Sequence, residues 1–345
     1  MFRKILQTRG VPSLCGRSEM LDILQREEYG YLPDKPDAIM WKVQENCIPS
    51  FCAGKVTAQR VEMTVTLKEK DFTFPFVAVI PKGEGPYPFF IHINFRPDIP
   101  DRYMPTEEIT DNGFAILSFC YQDVTSDDGD FTNGLAGVLY PEGKRGPTDP
   151  GKIALWAWAA QRVMDYAEAE PRLDKSRAMV CGHSRLGKTA LFCSATDERF
   201  FLAHSNNSGC SGAAITREKV GERVEHIIRN FPYWFCENYK QYIGKESDMI
   251  FDQHYLIASI APRYTYVASA LEDQWADPVS EMLACVAASP AYEVQGRLGF
   301  VCENRLPEAG DEYHEGSIGY HLRSGLHYFS REDWLRLMMF VRKKS

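Results

Sequence analysis

No apolar run in this chain approaches the roughly 18 residues that a membrane-spanning helix needs, so no spanning segment is expected. No basic run offsets the formal charge of −8, which argues against nucleic acid and anionic membrane surfaces as partners. The one basic cluster, Arg342-Lys343-Lys344, is a C-terminal fringe. No Cys-x-x-Cys pair occurs among the ten cysteines, and no His-x-x-x-His or His-Glu-x-x-His spacing among the eight histidines. A zinc site is therefore not expected, and neither is any other metal or cofactor. Met1 to Gln7 lacks the apolar stretch and small-residue cleavage site of a secretory signal. With cysteines scattered through apolar segments, that points to free thiols and a cytoplasmic location. Internal repeats and low-complexity segments are missing too, which excludes solenoids and linkers.

What remains is an ordinary folding chain of 345 residues, 44% apolar and 25% charged, long enough to bury a sizeable core as one domain. Residues 1–56 read as an N-terminal extension, and residues 210–262 as a lid or pocket-wall insertion. Thr57 to Lys68 alternates around Val61, Met63, Val65 and Leu67, Phe72 to Pro81 carries Phe76-Val77-Ala78-Val79-Ile80, and the two read as an antiparallel edge. Tyr87 to Phe95 and Phe114 to Tyr121 are nearly continuous apolar runs, as in strands buried on both faces. Lys152 to Ala169 is a helix with a wide apolar face, and Tyr264 to Ala270 a further strand. A helix from Val279 to Ala288 and a C-terminal helix from Arg331 to Arg342 complete the pattern. Strands alternating with helices call for a right-handed, mostly parallel sheet flanked by helices, a three-layer α/β sandwich. The polar stretch with Asp127-Asp128-Gly129-Asp130 does not match the spacing of a calcium loop and reads as a loop near the mouth of a site.

One stretch carries chemistry. Ala178 to Leu191 reads as an apolar strand, a tight turn and a helix start, with Ser184 at the corner. This is the layout of a nucleophile elbow in the α/β-hydrolase fold, which lifts a serine hydroxyl above the sheet edge. The usual Gly-x-Ser-x-Gly is altered, because the second glycine, Gly187, comes one residue late. A serine needs a base and the base needs an acid, in the chain order Ser, acid, His on this fold. His327 lies where the base belongs, just before the last helix, with His321 as the alternative. His183 is expected to face away from the serine. Asp273, just past the strand ending at Ala270, is the candidate acid, with Glu272 and Asp277 as competitors. The amide of Arg185 would be the first oxyanion donor, and the loop after Phe95 would supply the second.

The segment Gly182-His183-Ser184-Arg185-Leu186-Gly187-Lys188 resembles the elbow of glucuronoyl esterases, carbohydrate esterase family 15, and of bacterial relatives described as acetyl xylan esterases. Asn207-Ser208-Gly209, Trp234-Phe235, Phe251 to His254, Ala261-Pro262-Arg263, Trp275 to Pro278 and Gly325-Leu326-His327 extend the resemblance from about Tyr29 to Phe340. It implies a serine carboxylester hydrolase acting on a glucuronoyl or acetyl ester of a carbohydrate through an acyl-enzyme. The partner would then be a small-molecule or oligosaccharide ester; the oligomeric state is left open. The resemblance also implies an oxyanion role for the Arg185 side chain and substrate-binding roles for Lys188 and Trp275. Two departures stand out. Where fungal members carry their acid as Glu in Glu-Ser-Gly, this chain has Asn207, so the acid falls to Asp273. Where they carry a sugar-binding Glu before the Trp-Phe pair, it has Phe231-Pro232-Tyr233. A non-catalytic carbohydrate-binding relative is the competing class of function.

Overall fold

The computed structural model describes residues 1–344. Helices α1 (Phe2–Thr8) and α2 (Arg17–Leu24) precede strands β1 (Ala38–Gln44), β2 (Val56–Leu67) and β3 (Lys70–Pro81). The alternation read in the sequence pairs β2 with β3 antiparallel along their full length, from Val56 opposite Pro81 to Leu67 opposite Lys70. The chain then runs through β4 (Tyr87–Asn94), α3 (Thr106–Asp111), β5 (Ala115–Cys120), α4 (Gly134–Leu139) and α5 (Lys152–Ala169). Next come β6 (Leu173–His183), α6 (Arg185–Thr196), β7 (Leu202–Asn206), α7 (Val224–Asn230), α8 (His254–Ala258) and β8 (Tyr264–Ala270). It closes with α9 (Pro278–Glu293), β9 (Glu312–Tyr313), β10 (Ile318–Arg323) and α10 (Arg331–Lys343).

All ten strands form one sheet in the order β1-β2-β3-β5-β4-β6-β7-β8-β10-β9. From β5 to β10 every neighbouring pair is parallel, and antiparallel pairs close both edges. Helices α5, α6, α8 and α9 cover one face with the larger core cluster, while α3 and α10 cover the other with a smaller one. This is the α/β-hydrolase sandwich. In β4, Phe89, Phe90, Ile91 and Ile93 are fully buried. Each such side chain contributes on the order of 2 kcal/mol on leaving water, which is why the central strands read as unbroken apolar runs.

Three elements differ from the reading of the sequence. Strand β1 is a mostly exposed edge: Ile39, Trp41 and Val43 share one face, but only Ile39 packs against the core, and Trp41 meets the Tyr166 ring at 5.5 Å. Helix α9 runs on to Glu293 through Pro290, which forgoes a single backbone donor near the helix end. Strand β10 contains Gly319, His321 and Arg323, residues that blur a strand signal, yet all six of its residues are buried between β8 and α10.

Candidate active site

Parallel strands place their carboxyl ends, and the loops that follow, along one edge, and there the candidate residues converge. Ser184 occupies the turn between β6 and α6 with φ 58° and ψ −127°, a conformation that non-glycine residues rarely adopt. The neighbouring glycines explain how the turn closes. A Cβ at Gly182 would lie 2.2 Å from the Leu186 carbonyl oxygen. One at Gly187 would press on Ser205 and Ser208, at 3.0 and 3.1 Å. The residue facing the neighbouring strand is thus Gly187, while Leu186 packs into the core, and this accounts for the late glycine. The Gly187 and Lys188 amides donate to the Ser184 carbonyl at 2.9 and 3.3 Å, which leaves the Arg185 and Leu186 amides at the start of α6 without an intrahelical acceptor, next to the serine.

Asp273 follows β8 and is only 5% exposed, whereas the His327 side chain is 42% exposed. His327 Nδ1 lies 2.6 Å from Asp273 Oδ2. Asn207 Nδ2 donates to that same oxygen at 2.8 Å. Burial alone would raise the Asp273 carboxyl, but the His327 bond and its charge, the Asn207 amide and the Ala276 N–H outweigh it and hold the group below its usual range. An ionised Asp273 accepts only, so Nδ1 carries the proton and Nε2 is left as the basic nitrogen. The competing acids serve elsewhere. Glu272 accepts from the Gly325 amide. Asp277 caps α9 through the Ser280 amide at 3.1 Å and also accepts from the Val220 amide at 3.0 Å. The other candidate base, His321, is fully buried against Asp333 and Tyr266.

A cavity of about 340 Å³ joins these groups, with Ser184, Arg185, Lys188, Asn207, Asp273 and His327 in its wall. Among the described residues no hydrogen bond links Ser184 Oγ to His327; the two share this wall, and such bonds commonly tighten only once substrate is bound. His183 does not line the cavity that holds Ser184; it packs against His327, with ring centroids 4.4 Å apart. Burial and the nearby His327 push its pKa down to about 3, so it is a neutral support.

The loop after Phe95 contributes nothing to the cavity wall; beside Ser184 the wall is formed by Arg185. Its guanidinium lies over the Trp234 ring at 4.5 Å and the Phe231 ring at 5.0 Å, and pairs with Asp127. Asp127 also accepts from Tyr121 Oη and Trp234 Nε1, each at 2.8 Å. Sequence reasoning had placed Asp127 only in a loop near the mouth, without a role.

The cavity wall also includes Lys188, Glu222 and Trp275, the last 51% exposed. The Lys188 ammonium donates to the Ser208 and Cys210 carbonyls and reaches Glu222 at 3.4 Å, so the lysine and the glutamate act as one unit. Glu222 carried no signal in the sequence; it joins the site only because the segment after β7 folds back over the elbow. A larger groove of about 750 Å³ runs between residues 32–39 and helices α5 and α6, but no serine or histidine lines it. Among the described residues no cluster could hold a metal ion, and no helix is long and apolar enough to cross a membrane.

Comparison with known proteins places the chain among known esterases by similarity. The family model described as glucuronyl esterase, fungi, matches residues 63–296. A carbohydrate esterase, MZ0003, from an unknown prokaryotic organism is 40% identical over 230 residues, covering 66% of this chain and 53% of that protein. The 4-O-methyl-glucuronoyl methylesterase of Podospora anserina is 26% identical over 298 residues, covering 82% of this chain and 56% of that protein. The chain thus spans little more than half the length of these curated relatives. Among solved structures, the glucuronoyl esterase from Solibacter usitatus superposes with a TM-score of 0.84 at 31% identity, covering 94% of this chain and 91% of that one. A glucuronoyl esterase from Teredinibacter turnerae gives 0.85 at 29%, covering 95% and 84%.

Proposed function

The chain belongs to the glucuronoyl esterase family, and from that premise we propose that it is a serine carboxylester hydrolase cleaving an ester of a glucuronic acid side group on a carbohydrate. The observation that carries this reading is the bond from His327 Nδ1 to the buried Asp273, on the rim of the cavity that holds Ser184 in its strained turn. Asp273 fixes the tautomer, and His327 Nε2 takes the Ser184 proton as Oγ attacks the ester carbonyl. The carbonyl oxygen becomes an oxyanion beside the free amides of α6 and the Arg185 guanidinium, both preorganised for negative charge. Collapse breaks the bond to the alcohol, which leaves with the proton from His327. Water, activated by the same imidazole, then hydrolyses the acyl-enzyme and regenerates Ser184.

The rest of the cavity wall supports a sugar acid as the acyl group. Glu222 offers acceptors for hydroxyls, Lys188 holds it in place with a cationic edge, and Trp275 offers a flat apolar face of the kind sugar rings stack on. The segment 210–262 acts in this reading as a pocket wall, through Glu222, Phe231 and Trp234. A simple acetyl group would use none of these side chains.

Ser184→Ala assayed on a methyl glucuronate ester tests the reading, with turnover expected to vanish. Undiminished turnover overturns it. Parallel assays on acetyl esters separate the two acyl groups, and a clear preference for acetyl overturns the uronate assignment.

A further inference from the structure

A general base must be held within a fraction of an ångström of its working position, yet His327 sits on an exposed loop between β10 and α10. Loops of this kind are ordinarily the mobile parts of a fold. The question is where the backbone groups of residues 324–329 find their partners. Much of the answer is a single side chain. Arg323, the last residue of β10, is 5% exposed and turns its guanidinium under the loop. Nη1 donates to the Ser324 carbonyl at 2.9 Å, and Nη2 to the carbonyls of Leu326 at 3.2 Å and Tyr328 at 2.6 Å. Leu326 and Tyr328 are the residues on either side of His327.

A buried guanidinium is costly unless paired, and the pairing here is complete. Arg323 Nε donates to both oxygens of Asp333, at 2.9 and 3.1 Å. Asp333 is fully buried and also accepts from His321 Nε2 at 2.9 Å and from the Ser330 amide at 2.7 Å. It therefore ties Arg323 to strand β10 and to the start of α10, two rigid elements. The main chain of Arg323 and the residues after it also joins the loop of the acid. The Leu271 amide donates to the Arg323 carbonyl at 2.8 Å, and the Glu272 amide to the Gly325 carbonyl at 3.1 Å. Acid and base loops thus meet beside the Arg323–Asp333 pair.

We propose that Arg323, locked by Asp333, is the positioning residue of the base: it grips the carbonyls flanking His327 and keeps the imidazole in register with Asp273 and Ser184. Arginine is required because its planar fork serves the acid on one edge and three carbonyls on the others, which a lysine ammonium cannot do. The proposal rests on the reading of His327 as the base.

The test compares Arg323→Met, Arg323→Lys and His327→Ala in the full chain. Four readouts are taken: kcat and KM on a methyl glucuronate ester, labelling of Ser184 by a fluorophosphonate, melting temperature, and the low-field proton resonance of the His–Asp bond. Arg323→Met is expected to lose about 100-fold in kcat with little change in KM, a loss of the size that slight misplacement of a catalytic group produces. Labelling should slow in parallel and the low-field resonance should broaden or vanish, while Arg323→Lys recovers part of the rate. If both variants melt earlier but turn over and label at the parental rate per folded molecule, Arg323 is merely structural and the proposal falls. If Arg323→Met does not fold, Arg323→Lys decides alone, since its charge is retained and its fork is lost. Turnover surviving in His327→Ala would instead overturn the reading of the base; an inactive His327→Ala beside fully active Arg323 variants overturns only the clamp.

Discussion

Asn207 donates to Asp273 through the same carboxylate oxygen that His327 engages, at 2.8 and 2.6 Å respectively. The position where fungal-type relatives are expected to carry their acid has thus become a hydrogen-bond donor to an acid supplied from the end of β8. An amide cannot ionise, but it can steady a neighbour that does, and here it helps to hold the Asp273 carboxyl below its ordinary range.

Substitution of two of the candidate acids, Asp273 and Asp277, separates their roles. Asp273→Asn is expected to lower kcat by about 10³–10⁴-fold, the scale seen when a triad acid loses its charge and the histidine adopts the wrong tautomer. Asp277→Ala should instead show itself in stability, because Asp277 caps α9, and a lost cap costs about 1 kcal/mol. Steady-state kinetics beside thermal melts reads both, and an Asp277 variant with the larger kinetic defect would refute the assignment.

Asp127 pairs with Arg185, which shares the cavity wall with Ser184, and Tyr121 and Trp234 donate to the same carboxylate; in the proposed mechanism that guanidinium faces the oxyanion. Asp127→Asn is expected to lower kcat by about 10–100-fold with a smaller change in KM, since the guanidinium acts mainly on charge that develops in the transition state. Arg185→Lys should fare no better than Asp127→Asn, because an ammonium neither stacks on Trp234 nor forms a fork. Matching kcat defects in the two variants and in the double variant would show that the pair acts as a unit.

Glu222 and Lys188 form the polar floor of the cavity, and Trp275 its exposed flank. Glu222→Gln is expected to raise KM for a uronate ester by about tenfold, the value of one charge-assisted hydrogen bond. Its effect on 4-nitrophenyl acetate, which has no sugar to bind, should be much smaller. Equal defects on both substrates would mean that Glu222 supports the fold of the site and does not recognise its occupant.

Stability should peak just below neutral pH. Burial holds His92, His254 and His314 down to about 4 and His183 and His204 to about 3, so below the ordinary histidine value the unfolded chain takes up protons that the folded chain refuses. Stability contributed by these five is present above about pH 6.5 and is lost as the pH falls toward 4. Burial acts oppositely on two carboxyls, raising Glu28 to about 8 and Glu281 to about 7. Their contribution is full below the ordinary glutamate value and is lost as the pH rises through 7 and 8. Urea melts across pH 4–9 should trace both limbs, and Glu28→Gln should flatten the alkaline one.

The parts of this protein written in the sequence are those with a short period or a fixed spacing. Central strands announce themselves because burial on both faces demands unbroken apolar runs, and the elbow because its turn tolerates few residues at Gly182, Ser184 and Gly187. Ser184, His327 and Asp273 follow from the order in which this fold delivers its loops. By contrast, β10 stayed hidden because its polar residues are satisfied by partners outside the strand, as His321 and Arg323 are by Asp333 of α10. The contact of His183 with His327 is hidden for a related reason: what packs against a residue beside the elbow depends on where the loop after β10 lies. Asp127, Glu222 and Arg323 have no local pattern at all. Each gains its role by meeting a group more than 30 residues away or by gripping backbone whose path only the folded chain defines. Sequence alone pointed to the class of chemistry and to Ser184. Tertiary structure decided which carboxylate meets His327, what pairs with the Arg185 guanidinium and what grips the backbone around His327, because those are matters of distance between segments that only folding brings together.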